Sequence, residues 1–158
     1  MSISKNILEN LLAEMELFET QFPLKEMERT AFKQTPDITL LTCSDSRMPP
    51  NMLGPTFNRV FSVENIGNQF SNNAGSVLYG LLHLRTPIFI VAGHTDCGAV
   101  KAALGDFSTE PFAIRKELHP LLSTLSKAHD LMAAYSNKAD DISITRLAEF
   151  NVDMQIKY

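Results

Sequence analysis

Cysteine is scarce: the 158 residues hold two, Cys43 and Cys97. A small secreted scaffold stapled by several disulfides is therefore excluded, since one bridge cannot stand in for a core in a chain of this length. In a reducing compartment, two cysteines beside a well-placed histidine serve better as metal ligands or catalytic groups. Long apolar runs are lacking too, and none approaches the ~18 residues that span a bilayer. The opening stretch is interrupted by Glu9 and Glu14 and is followed by no small-residue cleavage site. No secretory signal is expected from it, which makes cytoplasmic localisation the default. Basic charge is not in excess either. A formal net charge of -4 leaves no basic face for phosphates, so no nucleic-acid partner is expected. No repeat, low-complexity tract or polar linker divides the chain, and its length suits one soluble globular domain.

What is present alternates between two periodicities. Ile7, Leu8, Leu11, Leu12, Met15 and Phe18 recur at the spacing of one helical face. Such a face packs on the protein's own core or, as the alternative, on a partner. Pro23 ends this helix, and a short second one is expected around Lys25 to Phe32. The run from Asp37 to Thr42 is almost wholly apolar and rich in strand formers, as a buried parallel strand should be. A second strand is predicted near Arg59 to Val63, a helix from Ala74 to Leu84, and a third strand from Ile88 to Ala92. From Glu110 onward the chain looks helical, with a break at Pro120 and a last amphipathic segment from Asp141 towards Tyr158. Strands alternating with helices imply an α/β fold, a mainly parallel sheet flanked by helices. The methionines are expected as core filler.

Two of the predicted strands end in potential metal ligands. Cys43 follows the first, and Gly93-His94-Thr-Asp-Cys97-Gly98 follows the third. In open α/β sheets, ligands bind beyond the carboxyl ends of the strands, so neighbouring strands would bring Cys43, His94 and Cys97 to one rim. Thiolate and imidazole suit zinc, and three protein ligands leave the open fourth position of a catalytic site. Beside Cys43, Asp45 and Arg47 set an acid and a base two residues apart. The segment from Gly93 to Gly98 is not a phosphate loop, because Ala99 and Val100 stand where lysine and a hydroxyl residue belong. His83, His119 and His129 are candidate proton shuttles that read better as surface or packing residues.

The pair Cys43-Ser-Asp-Ser-Arg47 and Gly93-His-Thr-Asp-Cys-Gly98, in that order and separation, resembles the signature of the β-class carbonic anhydrases. The likeness extends through Val60-Phe-Ser-Val and Asn65-x-Gly-Asn68, from about Leu40 to Leu104. It implies a zinc ion on Cys43, His94 and Cys97, with Asp45 and Arg47 as the catalytic dyad. Paired to Arg47, Asp45 stays off the metal; released, it becomes the fourth ligand and closes the site. The implied activity is reversible hydration of carbon dioxide to bicarbonate by zinc-bound hydroxide. On this reading, residues 1–158 form a single domain: a helical arm (1–36), the zinc-site core (37–105) and a helical region (106–158). Members assemble as homodimers or larger homo-oligomers whose N-terminal helices embrace a neighbour.

Two features depart from the resemblance. Glu64 stands where many members carry arginine. The segment from Asp141 to Tyr158 is followed by no further strand, so the family's C-terminal strand is expected to be missing and the third strand to have an open edge. These departures keep two other functions in view: hydrolysis of carbon disulfide or carbonyl sulfide on the same fold, and a catalytically inactive zinc-binding homologue. Thiol redox chemistry suits the cysteines less well, since they lack C-x-x-C spacing.

Overall fold

A computed structural model describes residues 3–135 and 143–157, with the backbone alone at positions 129 and 132–135. The chain divides into two compact units, Met1–Gln34 and Thr35–Tyr158. The first unit contains helices α1 (Ile3–Gln21) and α2 (Leu24–Arg29). α1 buries none of its residues, and its stripe of Ile7, Leu8, Leu11, Leu12, Met15 and Phe18 is exposed along its whole length. Within its own unit this face is left uncovered. No helix among the described residues is long and apolar enough to cross a membrane.

The second unit is built on three parallel strands, β1 (Ile38–Cys43), β2 (Val60–Asn65) and β3 (Ile88–Ala92), in the order β2-β1-β3. Every residue of β1 is buried, which explains why its run is almost wholly apolar: a central strand in a parallel sheet is covered on both faces. The outer edge of β3 pairs with no strand among the described residues, as expected. On one side of the sheet, Leu41 and Val63 pack with Val77 of α3 (Ala74–Leu78). α3 runs on into a π-helical turn, Tyr79–His83, whose wider winding brings Gly80 onto β1. A Cβ at Gly80 would lie 2.2 Å from Thr39 Oγ1, so only glycine permits the buried hydrogen bond between Thr39 and Thr86 hydroxyls, 2.7 Å long.

On the other side lie α4 (Gly98–Leu104), α5 (Phe112–Tyr135) and α6 (Ile144–Ile156). The main core cluster joins Cys43 and Cys97 to Val100, Leu118, Leu121, Leu125 and Leu147. α5 corrects one expectation: it passes through Pro120 without a break. An interior proline costs a helix ~3 kcal/mol. Leu118, Leu121 and Leu125, all buried on one face, offset that cost at ~1.5–3 kcal/mol each. The proline leaves the Lys116 carbonyl without its helical donor, and Lys116 is exposed, so water can serve it. The methionines are a second correction. Met15, Met27, Met48, Met52 and Met154 are all at least partly exposed, while leucine and valine fill the interior. Asp141 and Tyr158, the predicted limits of the last helix, lie outside the described residues; α6 occupies most of the span between them.

Candidate metal centre

β1 and β3 run side by side with Thr42 opposite Ala92, so the chain leaves both strands at the same rim. Cys43 is the last residue of β1. After β3, a short loop carries His94 and delivers Cys97 to the N-cap of α4. The loop is tightened at two points. A Cβ at Gly93 would meet Val152 of α6 at 2.6 Å, and Asp96 adopts a left-handed conformation with φ 58°. As a result one donor atom from each of Cys43, His94 and Cys97 lies within 4.8 Å of the others. The three predicted ligands are thus brought together.

The donor set fits a cation. The two sulfurs are 4.0 Å apart and both side chains are buried. Of the pair, Cys43 is the readier thiolate: the Cys97 thiol beside it holds its pKa down, helped by backbone N–H groups of Gly67 and Asp45. Cys97 is pushed up by Cys43, although the N–H groups of Val100 and Ala99 at the start of α4 work the other way. Two thiolates this close are compatible only with a positive charge between them. His94 Nδ1 lies 3.0 Å from the Thr95 carbonyl and donates to it, and Nε2 is buried with no hydrogen-bond partner. An imidazole fixed by one nitrogen, with the lone pair of the other unused, is the usual state of a metal-ligating histidine.

Asp45 and Arg47 stand at the edge of this cluster. Asp45 Oδ1 accepts from the backbone N–H of Arg47 at 3.0 Å and from its Nε at 2.8 Å, and Oδ2 accepts from Nη2 at 2.7 Å. These bonds from Arg47 hold the carboxyl well below the usual carboxylate range. The same Oδ2 lies 3.6 Å from His94 Nε2. Arg47 is held in turn by the Asp96 carbonyl, 3.3 Å from Nη2, and the Asp96 carboxylate pairs with Lys101 of α4. Sequence reading did not foresee this last pair.

Other predicted residues lie elsewhere. Glu64 is exposed on β2 and its Oε1 accepts from Ser62 Oγ at 2.8 Å. His83 stacks on Tyr79 and His119 meets Phe107 edge to face, the packing roles expected of them. The side chain of His129 lies outside the described residues. Sequence reading missed Asn151 and Gln155, buried amides of α6 that reach the turn after β2. The available signal was two amides four residues apart on an otherwise apolar helical face.

Comparison with known proteins bears on the same segments. A family model described as "Carbonic anhydrase" matches residues 38–158. A carbonic anhydrase of Synechococcus elongatus is 34% identical over 85 residues, 49% of this chain and 31% of that protein. One from Helicobacter pylori is 30% identical over 104 residues, 58% of this chain and 47% of the relative. The aligned part is thus less than half the length of these curated relatives. Among solved structures, a tetrameric β-carbonic anhydrase from Sordaria macrospora superposes with a TM-score of 0.75 at 26% identity, covering 96% of this chain and 80% of that one. The family match opens at the first residue of β1 and encloses the whole thiolate–imidazole rim, which places this chain in the β-class carbonic anhydrase family.

Proposed function

We propose that the chain binds zinc through Cys43, His94 and Cys97 and catalyses the reversible hydration of carbon dioxide to bicarbonate. The observation that carries this reading is the position of Asp45: clamped by Arg47, yet with Oδ2 only 3.6 Å from His94 Nε2. A purely structural site gains nothing from such a dyad, which argues against a non-catalytic homologue. Zinc held by this donor set would acidify a water molecule and supply the nucleophile for carbon dioxide.

The chain's own groups do the rest. Arg47 occupies both oxygens of Asp45 and keeps the carboxylate ionised, so Asp45 can only accept a proton-bearing partner and orient it. The clamp also holds Asp45 back from the ligand cluster. Released from Arg47, the carboxylate would itself be a ligand and would close the site. Asp96 opposes that release by accepting from Arg47 Nη2.

The pH dependence follows from charge. Two thiolates would neutralise a bound ion, so water there would be less acidic than at an all-histidine site, and activity is expected to rise with pH above neutrality. Asp45 takes no part in this rise, because its depressed pKa keeps it ionised throughout the window. Stopped-flow hydration by zinc-quantified protein from pH 6.5 to 9 tests the proposal. A climbing profile is expected, and a flat one would count against it.

A homodimer or larger homo-oligomer is proposed as well, supported by the exposed apolar stripe of α1. Light scattering is expected to give at least twice the 17.6 kDa chain mass, and a monomer would sink this part.

A further inference from the structure

Packing does not hold Arg47 in place. Its side chain is 58% exposed, against 19% for Asp45. An arginine so placed keeps its many rotamers unless hydrogen bonds remove them. Two residues do so. Asp45 accepts from Nε and Nη2, and the Asp96 carbonyl accepts from Nη2 at 3.3 Å. His94 Nδ1 lies 3.5 Å from the same nitrogen, but its proton goes to the Thr95 carbonyl, so it offers no lone pair there. Among the described residues, the Asp96 carbonyl is therefore the one acceptor outside Asp45 that steadies the guanidinium.

Where that carbonyl points depends on an uncommon backbone. Asp96 has φ 58°, a conformation that a residue with a side chain keeps only where its surroundings fix it. A return to the ordinary region would swing the carbonyl away from Arg47. The side chain of Asp96 is tied down from α4: Lys101 Nζ pairs with Asp96 Oδ1. Lys101 is itself rooted in the helix, where its N–H donates to the Cys97 carbonyl at 3.1 Å. Both members of the pair are exposed, so it adds little to the stability of the fold. Its effect is to select one conformation of Asp96.

We infer that Lys101 is a positioning residue for the Asp45–Arg47 clamp: by holding the Asp96 side chain it keeps the Asp96 carbonyl on Arg47 Nη2, and so biases the clamp against release. The chain of contacts runs from Lys101 to the Asp96 carboxylate, from the Asp96 carbonyl to Arg47, and from Arg47 to Asp45. Its bearing on catalysis rests on the function proposed above.

The test follows the Arg47 Nε–H by NMR in the full zinc-loaded chain at one pH, because that hydrogen exchanges with water when the clamp opens. Lys101→Met should exchange about 2–5-fold faster than wild type, the range of one exposed ion pair. Lys101→Arg keeps the charge and should restore the wild-type rate. Asp96→Asn still tolerates the left-handed backbone but loses the carboxylate. It should match Lys101→Met, and the two together should be no faster than either alone. In ~1 M salt, where charges are screened beyond ~3 Å, wild type should approach Lys101→Met. Equal rates in wild type and Lys101→Met, or an acceleration repeated in full on top of Asp96→Asn, would overturn the inference. So would loss of zinc from Lys101→Met, which would give Lys101 a part in the ligand loop instead. If Lys101→Met does not fold, Asp96→Asn carries the comparison with wild type. A chain with the expected exchange pattern that hydrates no carbon dioxide would overturn the proposed function and leave this latch standing.

Discussion

Cys43→Ala is expected to purify folded, without stoichiometric zinc, and to hydrate carbon dioxide no faster than buffer does. Cys43 is one of three donors gathered within 4.8 Å, and no other described cysteine or histidine belongs to that cluster. Its loss leaves an imidazole and a single thiolate, too few to retain the ion against a chelator. The fold itself should survive, because exchanging a buried cysteine for alanine removes one sulfur from a core of leucine and valine. Activity should fall on the order of 10⁶-fold, the low end of enzymatic acceleration. Metal analysis, circular dichroism and stopped-flow hydration on one preparation check this. Zinc still present at about one per chain would move the ligand set elsewhere.

Asp45→Ala separates catalysis from metal binding. If Asp45 acts by accepting and orienting a proton-bearing partner, turnover should drop about 10²–10⁴-fold, the range of a general acid–base group, with zinc retained. Arg47→Ala should lose turnover to a similar degree for the opposite reason. It removes the two guanidinium hydrogen bonds that clamp the carboxylate and leaves only the backbone N–H of residue 47 on Oδ1, so Asp45 becomes free to join the ligands. Zinc should then be held at least as tightly as in wild type. Loss of zinc from Asp45→Ala would show that the carboxylate is mainly a ligand.

The parts of this molecule that were legible in sequence are those where one residue type answers one physical demand. β1 had to be apolar on both faces because it is central, so its run announced its place. The grouping of Cys43, His94 and Cys97 was legible because side chains suited to a metal are few in kind and strand ends are where sites form. What stayed hidden depends on distant surroundings. Pro120 is tolerated only because the leucines on either side of it share one core, a fact of packing that local propensity does not carry. The π turn at Tyr79–His83 reflects contact between Gly80 and Thr39, which stand far apart in the chain. Asn151 and Gln155 serve a turn over eighty residues away, so only the oddity of amides on an apolar face pointed to them.

The strand order has a consequence for folding as well as for chemistry. Cys43 and Cys97 are 54 residues apart in sequence and meet only because β3 crosses over to pair with β1. An unfolded chain would have to close that loop before both sulfurs could grip one ion, at an entropic cost of about 4 kcal/mol by chain-entropy reasoning. The crossover closes it in advance. Metal affinity is then largely a property of the native state, and each increment of binding free energy becomes an increment of folding stability. In this protein the ion that would serve catalysis would also act as a removable clasp between the first and third strands.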